Sequence, residues 1–399
     1  MVFVFYFLIA MLLVILYIWL DFFLGKRKHL HQQNAVFYPS REGQVQWIDT
    51  GKVFFETMFE DIQHANSHVH VLFYIFRNDS IGSQFIDLLI QKASEGIEIK
   101  VLVDRVGSGL NREGRQKLKK AGVLFAYAKT PSFPFFFFTL NRRNHRKITV
   151  IDGKIGYTGG FNVGDEYLGH DPKLGLWRDF HLRFYGEGVQ DLQSQFLEDW
   201  KQANRNSSKR EKSYFPSLEK GRHTFRFFAT EGHGLDTFFM EGIKKAKNYI
   251  YIASPYYVPS IELQSALLDA LKRGVDVRII LPEKKDHPLV KEASLSYLED
   301  LIKSGASIFH FQQGFFHAKT VLIDDKFCDV GTANFDQRSF FLNCEMNTIL
   351  SSPSNISSVK NRLEKDMSQS TILHLDELQY RPFKTRVREK IASIVEPLL

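Results

Sequence analysis

The first twenty residues, MVFVFYFLIAMLLVILYIWL, contain no charge, proline or glycine. As a helix they span about 30 Å, the thickness of a bilayer's hydrocarbon core. A cleaved signal would need a basic leading segment, a shorter apolar stretch and a small-residue cleavage site. Instead Phe22, Phe23 and Leu24 follow, then Gly25-Lys26-Arg27-Lys28. The pattern predicts an uncleaved anchor over residues 1–25 and a juxtamembrane linker over 26–44. The cations lie just after the span, which by the positive-inside rule puts the rest of the chain in the cytoplasm, single-pass at the cell membrane.

Past the anchor the pattern is written twice. HVHVLFYIF (68–76) is continuous enough for a buried strand, and FIDLLIQKASEGIEIKVLVD then gives a helix, a stop at Gly96 and a second strand. NYIYIASPYYVP and LQSALLDALKRGVDVRIILP repeat strand, helix, a stop at Gly274 and strand. LKKAGVLFAY and LIKSGASIFHF extend the match, Gly122 against Gly305. This predicts an α/β fold of two similar halves about a pseudo-two-fold axis. The halves are placed at 45–202 and 223–399, the second ending in a helix, with a polar linker at 203–222. GVQDLQSQFLEDW is a core helix by the spacing of Val189, Leu192, Phe196 and Trp200.

Both halves then reach a histidine. NHRKITVIDGKIGYTGGFN and FHAKTVLIDDKFCDVGTAN share one spacing: His145, Lys147, Asp152, Gly159, Asn162 and His317, Lys319, Asp324, Gly331, Asn334. A lone histidine in a strand is more often a satisfied core residue. Two with identical spacing, in matching contexts, point to a site built by both halves. Residues i and i+2 of a strand share a face, so His145 and Lys147 project together. Asp152 falls on the turn ending the strand, and holds strand and loop in place. The lysines, with the amide N–H groups of Asn162 and Asn334, suit the non-bridging oxygens of a phosphodiester. The histidines suit in-line displacement, one attacking phosphorus and the other protonating the leaving alcohol. Each imidazole needs a carboxylate on its far nitrogen, and Asp179 and Glu345 are the candidates. The two histidines are expected to differ in protonation at rest. A lysine beside each would-be ligand disfavours a metal, and no cofactor is expected.

Composition adds two points. The net charge of +7 favours an anionic partner, a membrane surface or nucleic acid. The two cysteines, Cys328 and Cys344, form no CxxC pair and suit a reducing compartment.

The paired motifs resemble those of the phospholipase D superfamily, defined by two such HKD sequences. More narrowly the chain is similar to bacterial cardiolipin synthases from about Val45 to Leu399, through NRRNHRKITVIDGKIGYTGGFNVGDEYLG, WRDFHLRFYGEGV, SPYYVPS, DHPLV, GFFHAKTVLIDDKF and VGTANFDQRSFFLNCEMN. The resemblance implies two phospholipase D-type halves and a catalytic set of His145, Lys147, Asp152, His317, Lys319 and Asp324. It implies that two phosphatidylglycerols give cardiolipin and glycerol through a phosphohistidine, without metal. By the superfamily's pattern His145 is the nucleophile and His317 the acid, then base; local chemistry alone leaves the two interchangeable. An alternative in the same fold is a hydrolase, or a transferase using another alcohol or a phosphatidylethanolamine donor. The expected partners are anionic phospholipid and membrane. A nuclease is disfavoured by the anchor and the phenylalanine run, and a catalytically dead scaffold by the complete motifs.

The family pattern is departed from in three places. One membrane span is visible where two are usual. The residue beside the motif glycine is Gly160 in the first half and Thr332 in the second, so hydroxyl help to phosphate, from Thr332, is available on one side only. The aromatic run Phe133–Phe138 is long. That run fits either a buried strand, awkward with Pro134, or a loop at the bilayer surface with Arg142, Arg143 and Arg146 at headgroup level. The basic, amphipathic RPFKTRVREKIASIVEPLL suits the membrane surface or, preferred here, packing on its own domain.

Overall fold

The computed structural model describes residues 2–30, 35–204 and 212–398. Strands from both halves join one large mixed sheet, and apart from an extra edge strand, Ser370–Ile372, and Val36–Phe37 beside His223–Glu231, its order is a palindrome. From the centre outward, the first half runs Arg41–Ile48, His181–Gly186, Ile155–Gly159, Ile148–Ile151, His68–Phe73, Glu98–Asp104, Leu124–Ala128. The second runs His223–Glu231, Cys344–Leu350, Phe327–Gly331, Thr320–Ile323, Tyr249–Ala253, Asp276–Pro282, Ser307–Phe311. The pseudo-two-fold axis passes between Arg41–Ile48 and His223–Glu231, which pair antiparallel with Phe225 opposite Arg41.

Local rules build the units. Asp79 and Ser260 cap the equivalent helices Ser80–Ser94 and Ile261–Lys272, accepting from the N–H of Gly82 and Leu263. Both helices end where the sequence places a glycine: Gly96 and Gly274 sit at φ +87° and +84°, a left-handed conformation that side chains resist. Strand residues alternate between two cores. Val69, Val71 and Phe73 pack under the first half's outer helices, while Leu72 enters a core shared by both halves. Helices Val189–Ala203 and Pro353–Ser368 cover that shared core, so Leu192, Phe196 and Trp200 are buried as their spacing predicts.

Two boundaries near the N-terminus differ from the sequence reading. The N-terminal helix runs from Val2 to Leu30, past the predicted limit of 25, because its last turns find partners: His29 Nε2 lies 2.5 Å from the Glu231 carbonyl oxygen, and Lys26 lies over the Phe341 ring. Asp21 accepts the Phe138 N–H at 2.8 Å, and Phe22 packs edge-on against Phe137 and Phe138. Residues 26–30 and 35–44 are therefore not a free linker: they hold the end of this helix, the strand Val36–Phe37 on the second half, and the start of Arg41–Ile48, while 31–34 of the predicted linker lie outside the described residues. Part of the linker 203–222, residues 205–211, lies outside the described residues; beyond it Tyr214 is buried, its hydroxyl 2.6 Å from Lys100 and from Glu98.

The aromatic run is not a strand. Phe133 to Phe135 form a loop and Phe136–Asn141 a short helix. Phe138 is buried against the N-terminal helix, while Phe133 and Phe136 are exposed and stack on each other beside it. The neighbouring arginines are engaged within the protein. Arg146 is buried on Asp199 and Glu231, Arg143 on Asp104, and Arg142 pairs with Glu231. Burying such cations requires paired carboxylates, which the fold brings from distant strands and helices.

Candidate active site

Each histidine segment is stitched to the other half. The His145 N–H donates to the Cys344 carbonyl at 2.9 Å, and the Cys344 N–H donates to the Arg143 carbonyl at 2.9 Å. Symmetrically, Phe315–Phe316 pairs in parallel with Trp177–Arg178, and the His317 N–H donates to the Arg178 carbonyl at 2.7 Å. The residue after each partner is a carboxylate. Glu345 therefore meets Nδ1 of His145 at 3.0 Å, and Asp179 meets Nδ1 of His317 at 2.5 Å. Both carboxylates are fully buried. A proton on each Nδ1 leaves Nε2 as the free, basic nitrogen of each ring.

Asp179 and Glu345 are symmetry mates. His181 lies opposite Gly159 and Asn347 opposite Gly331, and each carboxylate precedes its strand partner by two residues. Their difference in length explains the first-half departure. Asp179 leans over Gly160, where an added Cβ would lie 2.0 Å from Oδ1. Glu345, one methylene longer, leaves room for Thr332, whose hydroxyl donates to it at 2.5 Å and accepts the Met346 N–H at 2.9 Å. This corrects the reading of Thr332 as a substrate ligand: it is fully buried and engaged on Glu345.

The lysines lie beneath the imidazoles. Lys147 donates to the His145 carbonyl at 2.8 Å, and Lys319 donates to the His317 carbonyl. Lys319 also approaches Asp179 at 3.5 Å. Asp152 and Asp324 take no part in this cluster. Asp152 accepts the N–H groups of Asn66, Ser67 and His68, and Asp324 those of Lys247, Asn248 and Tyr249. Each clamps the turn after its own strand to the start of the neighbouring one. The motif aspartates are thus positioning residues.

His145 and His317 open on one cavity of about 960 Å³, together with Asn162 and Asn334. Asn162 accepts the Ile75 N–H and donates to the Tyr167 hydroxyl at 2.9 Å. Asn334 donates to Asp336 at 3.2 Å. Each amide spends one N–H this way and keeps a second. Tyr74 and Trp177 flank the imidazoles of His145 and His317, ring centres 4.9 and 4.8 Å away. Neither was singled out from the sequence. Tyr74 directly follows a parallel strand, and the carboxyl ends of such strands are where ligands bind, so that rule could have found it. Tyr256 and Asp286, hydrogen-bonded at 2.6 Å, also line the cavity from SPYYVPS and DHPLV.

The electrostatics are those of buried cations drawn together by two carboxylates. Burial, then repulsion from Lys319 across the site, pushes Lys147 down to about 7 despite the attraction of Glu345. Burial likewise pushes Lys319 down to about 8. His317 falls to about 4, through burial and then Lys319, and His145 is lowered through burial and the lysines. Burial works to raise Asp179 and Glu345, but Lys319 with His317 and His145 with Lys147 outweigh it, so both stay below their usual range. Both imidazoles are thus shifted in the same direction, toward the neutral form. An anion entering the cavity reverses the balance, since it favours every charged base around it.

Fold and site together define a phospholipase D-like protein with both motifs converging on one centre. The family described as "Cardiolipin synthase, PLD-like domain" matches residues 58–200 and 239–367. The chain is 40% identical over 388 residues to the minor cardiolipin synthase ClsB of Bacillus subtilis, covering 96% of this chain and 97% of that protein. It is 39% identical to a cardiolipin synthase of Oceanobacillus iheyensis, covering 93% of this chain and 78% of that protein. In fold it is similar to the phosphatidylserine synthase of Haemophilus influenzae, with a TM-score of 0.71 and 16% identity over 94% of this chain and all of that one. The chain belongs to the cardiolipin synthase family, phosphatidyl-transferring enzymes that act on phospholipids at membranes.

Proposed function

We propose that this chain joins two phosphatidylglycerols into cardiolipin and releases glycerol. The observation that carries the reading is the crossed pair: two imidazoles on one cavity, each fixed by a buried carboxylate of the other half. Nε2 of His145 attacks phosphorus in line, and a P–N bond forms as the P–O bond to glycerol breaks. His317, protonated once the phosphodiester sits in the site, gives its proton to the departing glycerol oxygen. A second phosphatidylglycerol then enters. His317 takes the proton of its terminal hydroxyl, the oxygen attacks phosphorus, and the P–N bond breaks to free His145. Lys147, Lys319 and the second N–H of Asn162 and Asn334 offset charge on the non-bridging oxygens. The ammonium groups supply this charge without a metal.

The N-terminal helix would cross the membrane, and Lys26, Arg27 and Lys28 at its inner end favour a cytoplasmic site. The test uses purified full-length protein in mixed micelles with phosphatidylglycerol as the only phospholipid and EDTA present. Cardiolipin and glycerol in equal amounts, both lost in His145→Ala, are expected. Phosphatidic acid without cardiolipin would make water the acceptor and overturn the proposal.

A further inference from the structure

The helix Phe383–Val395 packs on Val290–Lys303 through one side only, where Ala392 is fully buried. Its apolar residues face the other way. Phe383 and Ile394 are each 79% exposed, Ile391 47% and Val387 40%. At 100° per residue these four fall within about 80° of the helix circumference. Lys384 and Arg388 border that arc on one side, Arg386 and Lys390 on the other. An apolar stripe between two rows of cations is the arrangement of a helix lying in a bilayer interface, with its cations at the phosphates. Tyr380, 84% exposed just before the helix, extends the same surface.

The helix is tied to both the anchor and the cavity. After it the chain turns, and Leu398 lines the cavity. Arg338 donates to the Leu398 carbonyl at 2.8 Å and to the Asn141 carbonyl at 2.7 Å. Asn141 ends the short helix on which the N-terminal helix docks, and Lys26 lies over the Phe341 ring, next to Arg338 in the same turn of chain. A continuous set of contacts thus runs from the membrane span, past the cavity, to the exposed stripe.

We propose that Phe383–Val395 is a second membrane element, lying in the plane of an anionic lipid surface and holding the cavity mouth against it. The occupant of the stripe is lipid, not a second copy of this chain: cations on both borders of the arc would face each other across a dimer. The inference rests on a membrane-embedded enzyme, so lipid turnover is measured on the same samples.

Ile394→Cys and Val387→Cys, carrying an environment-sensitive fluorophore, are reconstituted as full-length protein in vesicles of phosphatidylglycerol and phosphatidylcholine. Cys328 and Cys344 are buried and do not compete for label. Lys272→Cys, at an exposed position of the helix Ile261–Lys272, is the control. The expected result is a blue shift and loss of iodide quenching at 394 and 387, with quenching by lipid-borne nitroxide, while 272 stays open to iodide. The double variant Ile391→Asp/Ile394→Asp is expected to keep its melting temperature in detergent, to lose the shift of a label at 387, and to turn over bilayer lipid more slowly. Iodide access at 394 and 387 equal to that at 272, in protein that still turns over lipid, would overturn the inference and leave the enzyme reading standing. Energy transfer between labels on different copies at these positions would assign the stripe to self-association and overturn it too.

Discussion

Glu345 lies in the second half of the chain and holds the histidine of the first, with its carboxylate 3.0 Å from Nδ1 of His145. Asp179 of the first half does the same for His317 at 2.5 Å. Neither half pairs its own motif histidine with its own carboxylate. Glu345→Gln replaces a carboxylate by an amide that stabilises an imidazolium less, and is expected to lower kcat by about 10² to 10⁴. Asp179→Asn should act alike. The double variant Glu345→Gln/His145→Ala should be no worse than His145→Ala alone, because the two act as a unit. Steady-state kinetics on phosphatidylglycerol micelles check this. Additive losses would mean that Glu345 acts elsewhere.

The motif aspartates predict the opposite split. Asp152 accepts three backbone N–H groups and stands at φ +53°, a conformation asparagine also tolerates. Asp152→Asn keeps an acceptor oxygen but loses the charge. A loss of about 1–3 kcal/mol in unfolding free energy is expected, with kcat little changed below the melting transition. Thermal melts beside activity assays distinguish this from a direct catalytic role, which would cut kcat without moving the melt.

The lysines set a pH window. Burial lowers Lys147 to about 7 and Lys319 to about 8, so KM for an anionic lipid should rise as pH passes through that range. Lipid binding below pH 9 should take up protons, measurable as a buffer-dependent binding heat. Stability follows with a definite sign. An unfolded lysine titrates near 10.4, so between about 7 and that value the unfolded chain binds more protons and stability rises with pH. The cost of the buried ammonium is full below about 7. The wild type minus Lys147→Met difference in melting temperature should therefore shrink from pH 7 to 9.5, with the variant the more stable at pH 7.

The anchor's docking is a separate prediction. Gly25 abuts Phe138, and an added Cβ would lie 2.6 Å from the Phe138 Cβ. Gly25→Leu should break this joint, lowering turnover on bilayers while sparing activity on a short-chain substrate in solution. Equal turnover on bilayers would mean that the joint does not orient the site.

How far the sequence foretells this architecture differs from element to element. The repeat is legible because strand, helix and glycine stop recur locally, and Gly96 and Gly274 end their helices by a rule of backbone sterics. His145, Lys147, His317 and Lys319 are legible through their shared spacing. The crossing of Glu345 to His145 is not, since it depends on how two halves pair 200 residues apart. The same holds for Thr332, whose hydroxyl is claimed by a carboxylate thirteen residues on, and for Arg146, whose partners Asp199 and Glu231 arrive from other elements. Phe133–Phe138 resists a pattern reading because its partner is the end of the N-terminal helix, 117 residues away at the Asp21 contact.

The route through His145 is tested most directly with a phosphatidyl ester of p-nitrophenol, whose leaving group needs no proton. His317→Ala should release one equivalent of p-nitrophenol in a burst and then stall, with a phosphatidyl group found by mass spectrometry on the peptide carrying His145. His145→Ala should give neither burst nor adduct. A burst surviving in His145→Ala, or an adduct on His317 in the wild type, would contradict the account.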